Sequence, residues 1–417
     1  MVVMAFKIAG SRAARQPHVI YHFGPNGKSC HQLVGLPTNN NPFMKDILSP
    51  LLAIGTDALA QAAAPLVFIS AFAPGENGAI HAFKFDSKNG VLEPLHRTTG
   101  IQNPFFLVIS PDRRFLYATE AKQFGGPEVS LVASYAVEGR EGHLKRTSQQ
   151  STRGTTSCYL DIDATGRTLL VANYSSGSVT ALPVHKDGTL GESTSLILHG
   201  TAETDATPPK AVNAHSIVVS PDNRFALSAD LGIDQLLIYR LDAATGKLEP
   251  NESQPFIKVA PGSGPRHVTF HPDGKRVYVI NEYLNTVTFF DYATASARLT
   301  ERQTISTLPA DFNGESICAD LKITPDGSFL YGTNRGHDSI AAYNIGADGK
   351  LTLVNIQPSL GKAPQNLLIT PDGQWLLCAN MEGNNVVVFR IEAGTGKLSA
   401  VNEPVSMPMP SCIRWLP

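Results

Sequence analysis

A turn phrase that returns every 46 to 58 residues constrains the fold of this chain more than any other feature. In five of the six copies an alternating apolar run leads into Ser, Thr or His followed by Pro-Asp, and a second alternating run follows the turn. Residues 110–115 (SPDRRF) are one copy, and residues 324–327 (TPDG) belong to another. The turn position falls at Asp112, Ala164, Asp222, Asp273, Asp326 and Asp372, of which Ala164 belongs to a degenerate copy.

The residues of this phrase have a physical reason to form a turn. Proline presets the first central φ, the Asp side chain caps the turn, and the glycine that often follows adopts a positive φ. We therefore interpret these Asp residues as turn formers and not as ligands. Each copy continues with a third apolar run, such as residues 286–292, a further turn and a fourth short run. Four short strands in about 50 residues are typical of a propeller blade.

The two ends of the chain share one further copy. Six full copies span about residues 104–404, while residues 66–72 and 80–85 match only the middle strands of a repeat. The missing first strand is found at residues 410–416 (PSCIRWL), after which the chain stops. A ring closed in this way leaves no open sheet edge. An open solenoid would instead have capping repeats. The sequence predicts an all-β, seven-bladed β-propeller with four-stranded blades, closed by its C-terminal strand.

The first 65 residues lack the repeat, so we divide the chain into an extension (1–65) and a propeller domain (66–417). Residues 44–62 resemble a signal peptide, with an apolar stretch and an A-x-A-like end, and translation would then start at Met44. Asp57 and Pro50 interrupt this stretch, which favours an extension packed on the propeller. We expect a cytoplasmic protein, with a periplasmic location as the alternative if residues 44–62 direct export.

Composition and charge exclude several classes of function. Lys plus Arg number 34 against 36 Asp plus Glu, so no basic surface for nucleic acid is indicated. The chain contains no run of 18 apolar residues, so we predict no membrane-spanning helix. The five cysteines are odd in number and contain no C-x-x-C pair, which predicts buried free thiols and no zinc site. We expect no metal and no cofactor, no nucleic-acid or membrane partner, and a monomer or weak dimer.

Polar residues without an evident structural role gather where blades begin and where their second strands end. One carboxylate, one or two imidazoles and two guanidinium groups near one axis would suit an anionic substrate and acid–base chemistry. Each also has a structural alternative: a buried core histidine, structural ion pairs for the arginines, and a counter-ion for the carboxylate. These candidates are His215, Arg266, His267, Asn281, Glu282 and Arg335.

Three segments around these residues carry a family resemblance. Residues 264–272 (GPRHVTFHP), 279–282 (VINE) and 319–327 (ADLKITPDG) resemble the seven-bladed lactonase family. That family includes propeller-type 6-phosphogluconolactonases and fungal 3-carboxy-cis,cis-muconate lactonizing enzymes. The resemblance covers about residues 66–417, and residues 1–65 have no counterpart in it. It implies an active-site histidine at His215, the motif arginine at Arg266, an acid/base carboxylate at Glu282 and, by blade position, an anion-binding Arg335.

From this resemblance we expect a carboxylic-ester hydrolase acting on a small anionic lactone, with 6-phosphoglucono-δ-lactone as the first candidate. Glu282 or His215 would activate the water, and Arg266 would polarise the lactone carbonyl. The remaining expected substrate-binding residues are Arg335, His267, Asn281 and Lys322. The alternatives are a carboxymuconate cycloisomerase, a lactonase for another sugar acid, or a non-enzymatic binding platform, which would show an exposed apolar patch.

Overall fold

The computed structural model describes residues 64–200 and 211–417, and these residues form seven antiparallel sheets. The signal-like segment at residues 44–62 lies outside the described residues. The first sheet, blade 1, contains β1 (Leu66–Ala71), β2 (Ala79–Asp86) and β3 (Val91–Thr99). A 3₁₀ turn at Gly75–Asn77 precedes β2. No helix in the described part of the chain is long and apolar enough to cross a membrane.

Blades 2 to 4 follow in chain order. Blade 2 contains β4 (Leu107–Ile109), β5 (Phe115–Glu120), β6 (Val129–Glu138) and β7 (His143–Thr155). Blade 3 contains β8 (Ser157–Ile162), β9 (Thr168–Asn173), β10 (Ser178–Pro183) and β11 (Ser195–Leu198). Blade 4 contains β12 (Ala214–Val219), β13 (Phe225–Asp230), β14 (Gln235–Asp242), β15 (Lys247–Pro250) and β16 (Phe256–Lys258).

Blades 5 to 7 complete the series. Blade 5 contains β17 (Pro265–Phe270), β18 (Arg276–Asn281), β19 (Thr286–Ala293) and β20 (Arg298–Ser306). Blade 6 contains β21 (Ile317–Ile323), β22 (Phe329–Arg335), β23 (Ser339–Ile345) and β24 (Leu351–Pro358). Blade 7 contains β25 (Pro364–Ile369), β26 (Trp375–Asn380), β27 (Asn385–Ile391) and β28 (Leu398–Ser406), and the chain ends in β29 (Pro410–Leu416).

The C-terminal strand closes the ring, as the split repeat predicts. β29 pairs antiparallel with β1, with Leu66 opposite Leu416 and Ile69 opposite Ile413, and so becomes the innermost strand of blade 1. The first strand of each blade contacts the first strand of the next, and β29 contacts both β25 and β4. The seven-bladed propeller is therefore confirmed.

Blade 4 differs from the expected four strands because its outer strand is interrupted. β15 pairs with the C-terminal half of β14, and β16 pairs with its N-terminal half. Between them, the Asn251 N–H donates to the Ile238 carbonyl, and the Ile238 N–H donates to the Pro255 carbonyl. Residues 251–255 therefore form a bulge that divides the outer strand into β15 and β16, and the sheet has five strands for this reason.

Apolar side chains from facing blades fill the space between the sheets, and tyrosine hydroxyls tie neighbouring blades together. The Tyr278 hydroxyl of blade 5 donates to the Gly349 carbonyl of blade 6 at 2.7 Å, and Tyr331 does the same to Gly396 of blade 7 at 2.8 Å. Gly349 has φ +85°, and a Cβ there would lie 2.3 Å from the Phe289 ring. This close approach requires a glycine.

The recurring turns have the structure that their sequence predicts. In the turn before β26, the Thr370 hydroxyl donates to Asp372 at 2.5 Å, and the Asp372 carboxylate accepts the Gln374 N–H at 3.0 Å. The turn before β13 has the equivalent hydrogen bond, in which the Ser220 hydroxyl donates to Asp222 at 2.6 Å. These aspartates are turn formers, as predicted. The four described cysteines are buried free thiols, which is also as predicted.

Candidate active site

A β-bulge in the first strand of a blade places two of the predicted site residues. In β12 the pairing register shifts between Ala214 and Ser216, so His215 is the extra residue; in β17 it shifts between Pro265 and His267, so Arg266 is the extra residue. A bulge turns one side chain away from the regular alternation of the strand, and bulges are frequent next to active sites. His215 and Arg266 thus occupy the same position in neighbouring blades.

The carboxylate of Glu282 lies between two guanidinium groups. Glu282 directly follows β18, and its Oε2 lies 2.8 Å from Arg266 Nε and 3.1 Å from Arg335 Nη2. Within the described part of the chain, its second oxygen, Oε1, makes no hydrogen bond or ion pair. The Glu282 side chain is 12% exposed. The structure therefore brings together three of the predicted residues and leaves one carboxylate oxygen for a further ligand.

The two arginines differ in their access to solvent. The Arg266 side chain is 1% exposed, and its Nη1 donates to the Ala319 carbonyl and to His267 Nε2. The Arg335 side chain is 20% exposed, and its Nη2 donates to the Cys318 carbonyl at 2.8 Å. Arg335 can therefore reach a bound ligand, whereas Arg266 lies mainly behind Glu282.

Burial and mutual repulsion perturb the cationic side of the site. Burial, followed by the positive charge of Arg266, lowers the pKa of Arg335 to about 10, while the Glu282 carboxylate opposes this shift. Arg335 Nη1 also donates weakly to the Gln365 side chain at 3.4 Å. Arg335 remains a cation at neutral pH and carries the only guanidinium in this group with substantial exposure.

His215 is a neutral imidazole in the described site. It is 7% exposed, and burial followed by the positive charge of Arg266 holds its pKa well below the ordinary value. Its Nδ1 lies 3.8 Å from the Cys158 sulfur, and its ring packs edge-on against Tyr174 at 5.5 Å. Burial raises the pKa of the Cys158 thiol to about 12, so the sulfur is a protonated thiol and not a nucleophile.

His267 and Lys322 both contact a second carboxylate, that of Asp320. His267 Nδ1 lies 2.8 Å from Asp320 Oδ1, and Lys322 Nζ lies 2.7 Å and 2.8 Å from the two Asp320 oxygens. Lys322 is 28% exposed, and the ion pair with Asp320 links its ammonium group to the rest of the site. The sequence did not single out Asp320, because it appears there as one polar residue in an apolar strand.

Aromatic rings form the floor of the site. The Tyr159 ring packs against His267 with 4.9 Å between centroids, and against Phe106 with 4.1 Å. At the rim, Tyr283 is 49% exposed and packs against Gly264, whose φ is +62°. Sequence reasoning missed Tyr159 and Phe106 because they stand among apolar residues like ordinary core aromatics.

Asn281 makes structural contacts. It is fully buried, and its Nδ2 donates to Thr286 and Thr288 at 2.9 Å each. Asn173 holds the matching position in blade 3 and bonds the third strand in the same way. Asn281, the last residue of β18, thus fixes the end of this strand next to Glu282. Among the described residues, no group of three or more His, Cys, Asp or Glu side chains could hold a metal ion.

Comparisons with known proteins identify the family of this chain. The family described as Lactonase, 7-bladed beta-propeller matches residues 66–415. A 6-phosphogluconolactonase from Bacillus subtilis is 31% identical over 353 residues, which cover 84% of this chain and 97% of the relative. A 6-phosphogluconolactonase from Formosa agariphila is 32% identical over 349 residues, which cover 80% and 94%.

Two solved structures share the fold over most of the chain. A putative 6-phosphogluconolactonase from Bacteroides fragilis has a TM-score of 0.78 at 29% identity and covers 87% of this chain and 100% of its own. A periplasmic gluconolactonase from Pseudomonas aeruginosa has a TM-score of 0.77 at 29% identity and covers 85% and 99%. Sequence and structure agree that this chain belongs to the seven-bladed β-propeller lactonase family.

Proposed function

We propose that this protein is a lactonase that hydrolyses a sugar-acid δ-lactone, with 6-phosphoglucono-δ-lactone as the first candidate substrate. The observation that carries the proposal is the Glu282 carboxylate, held by two guanidinium groups beside a neutral imidazole. Such a group of residues can activate water and stabilise negative charge that develops on a carbonyl oxygen. The relatives named 6-phosphogluconolactonase support the choice of substrate.

In the proposed reaction, Glu282 is the base. Its Oε1 is free among the described contacts and would accept a proton from water as the water oxygen attacks the lactone carbonyl carbon. The C–O bond of the ring then breaks, and the proton passes to the departing ring oxygen, which gives an open-chain acid. The neutral His215 would donate a hydrogen bond to the carbonyl oxygen, since its low pKa makes it a poor proton acceptor.

The positive charges have two roles in this proposal. Arg335, as the exposed guanidinium, would bind the anionic group of the substrate, because a planar fork of donors suits phosphate and carboxylate. Arg266 would orient Glu282 and stabilise charge on the carbonyl oxygen. His267 and Asn281, which are 2% and 0% exposed, would support the site from below, and Lys322 would add positive charge through its pair with Asp320.

The charge balance favours a second candidate, an unphosphorylated gluconolactone. Lys322 is neutralised by Asp320, and Arg266 and Arg335 against Glu282 leave one net positive charge. Arg414, which lies 4.5 Å from the centre of the Phe106 ring, is balanced by the nearby Asp161 carboxylate. One positive charge does not neutralise a phosphate dianion, whereas a neutral lactone needs no such neutralisation. The Pseudomonas aeruginosa structure named as a periplasmic gluconolactonase has a similar fold. A phosphorylated substrate would fit the cytoplasmic location expected from the sequence, and an unphosphorylated substrate would fit an exported protein.

The test is hydrolysis of both freshly generated lactones by purified protein, with spontaneous opening subtracted. Fast turnover of the phosphorylated lactone, lost in Glu282→Gln, would support the first candidate and the site together. Turnover of glucono-δ-lactone alone would move the proposal to the second candidate. No turnover of either lactone above background would overturn the proposed function.

A further inference from the structure

The buried carboxylate of Asp320 accepts hydrogen bonds from four different donor groups. Its two oxygens receive His267 Nδ1 at 2.8 Å, Lys322 Nζ at 2.7 Å and 2.8 Å, Asn366 Nδ2 at 2.7 Å and the Leu367 N–H at 2.9 Å. These donors come from blades 5, 6 and 7. A fully buried carboxylate with this many donors is ionised and fixed in position.

The partners of Asp320 keep it charged despite its burial. Burial alone would raise its pKa, but the Lys322 ammonium and the bond to His267 together hold the pKa below the ordinary value. Asn366 is itself fixed, because its Oδ1 accepts the Ile413 N–H of the closing strand at 2.8 Å. The carboxylate therefore sits in a rigid frame that reaches from blade 5 to blade 1.

The contacts of His267 decide which of its nitrogens carries the proton. Arg266 Nη1 lies 3.0 Å from His267 Nε2, and a guanidinium can only donate. Nε2 must therefore be the unprotonated acceptor, and Nδ1 carries the hydrogen that is donated to Asp320. Burial, followed by the charge of Arg266, lowers the pKa of His267 to about 3, so the ring stays neutral.

We propose that Asp320 is a positioning residue of this site: it fixes the Nδ1–H tautomer of His267, whose Nε2 then holds Arg266 against Glu282. The chain of contacts runs from Asp320 Oδ1 through the imidazole to Arg266 Nη1, and from Arg266 Nε to Glu282 Oε2. The kinetic side of this proposal rests on the lactonase function proposed above, whereas the tautomer does not depend on it.

An amide at position 320 would break this chain in a defined way. Asparagine offers one acceptor oxygen where the carboxylate offers two, so its NH₂ group must face either the Asn366 side or His267. The Asn366 side presents two fixed donors, Asn366 Nδ2 and the Leu367 N–H, so the oxygen faces them and the NH₂ faces His267. With the NH₂ toward His267, Nδ1 becomes the acceptor and the proton moves to Nε2. The Nε2–H of His267 then faces an N–H of Arg266, so the hydrogen bond between them is lost. The guanidinium therefore loses its fixed orientation.

The first measurement is the tautomer itself. Protein labelled with ¹⁵N at histidine would be studied by NMR between pH 5.5 and 8, with the His267 signals identified by their absence in His267→Gln. We expect a protonated Nδ1 and a bare Nε2 in the wild type, and a shift of the proton toward Nε2 in Asp320→Asn. A wild-type His267 protonated at Nε2 would overturn the proposal.

The second measurement is the split between kcat and KM for the lactone that the wild type hydrolyses. We expect Asp320→Asn to lower kcat roughly 10- to 100-fold with KM changed less than about threefold, a size typical of groups that orient a reacting residue. Asp161→Asn is the matched control: Asp161 also lies on a first strand, but its carboxylate accepts backbone N–H groups of Ile162 and Val219. We expect it to keep both the tautomer and kcat.

A pair of variants at position 267 covers the case in which Asp320→Asn does not fold. His267→Gln keeps an acceptor for Arg266 and should retain more of kcat than His267→Leu, which keeps none. Equal kcat values for these two variants, or a folded Asp320→Asn with wild-type kcat, would contradict the proposal. If the wild type hydrolyses no lactone, the proposed function fails, and an unchanged tautomer in Asp320→Asn would then separately overturn this inference.

Discussion

Glu282 and Arg335 join two neighbouring blades across the mouth of the site, with 3.1 Å between Oε2 and Nη2. The backbone repeats this link, because the Cys318 N–H of blade 6 donates to the Glu282 carbonyl at 3.0 Å. The same carboxylate also faces Arg266 of its own blade. Glu282 is thus the counter-ion that the structural alternative in the sequence analysis expected, and its second oxygen is left for the proposed catalytic role.

We expect Glu282→Gln to lower kcat by about 10²- to 10⁴-fold, because a positioned acid or base contributes about that much to rate and an amide cannot accept the proton. The measurement is steady-state hydrolysis of the lactone with circular dichroism to establish that the propeller is folded. Glu301→Gln, on the outer strand β20 of the same blade, is the control and should keep wild-type kcat. Wild-type kcat in a folded Glu282→Gln would contradict the assignment of the base.

We expect Arg335→Ala to weaken binding of an anionic lactone by about 10- to 100-fold in KM, since hydrogen bonds to charged groups contribute about 1.5–3 kcal/mol. An uncharged lactone should be affected less. The control is Arg302→Ala, which removes an exposed arginine paired with Asp291 on blade 5. If KM for the charged and uncharged lactones rose equally, Arg335 would not be the ligand of the anionic group.

The fold was predictable because its determinants are local and repeat. Each Pro-Asp turn fixes two strands by its own hydrogen bonds, as Thr370 and Asp372 show, and the split first copy dictates closure by β29. The interrupted outer strand of blade 4 was not predictable. Pro250 and Pro255 mark a break in the sequence, but that the strand resumes after it depends on how residues 251–255 meet the Ile238 backbone.

The site was predictable only in part. His215, Arg266, Glu282 and Arg335 could be identified because polar residues stand out at blade starts and strand ends. The bond between His267 and Asp320 joins residues 53 positions apart in neighbouring blades, and only the cross-blade register brings them together. The pair of Lys322 with Asp320 is different, because the two residues lie two positions apart on β21 and their spacing alone could have predicted it.

Ring closure makes the last strand important for stability. Ile413 of β29 is fully buried opposite Ile69 of β1, in a core shared with blade 7. We expect Ile413→Ala to lower the free energy of unfolding by about 2–5 kcal/mol, the usual cost of such a truncation in a packed core. Ile317→Ala is the control, because Ile317 is 37% exposed. Urea denaturation measures both, and equal losses would show that Ile413 contributes no more to stability than a partly exposed side chain.

Buried neutral histidines should make stability depend on pH. The pKa of His267 is about 3 in the folded protein, where burial and Arg266 lower it, against an ordinary value near 6.5. Below pH 6.5 the unfolded chain therefore binds a proton that the folded chain does not, and stability falls with falling pH. His215 acts in the same direction, while Asp161, whose pKa burial raises to about 6, opposes it.

His267→Gln isolates the contribution of one histidine. The free energy of unfolding of the wild type should fall by about 1.4 kcal/mol more per pH unit than that of the variant between pH 6 and pH 4.5, since one pKa unit corresponds to about 1.36 kcal/mol. Above pH 7.5 the difference between the two proteins should be constant. Urea denaturation at several pH values measures it, and parallel curves across the whole range would mean that His267 takes up its proton as readily in the folded site as in the unfolded chain.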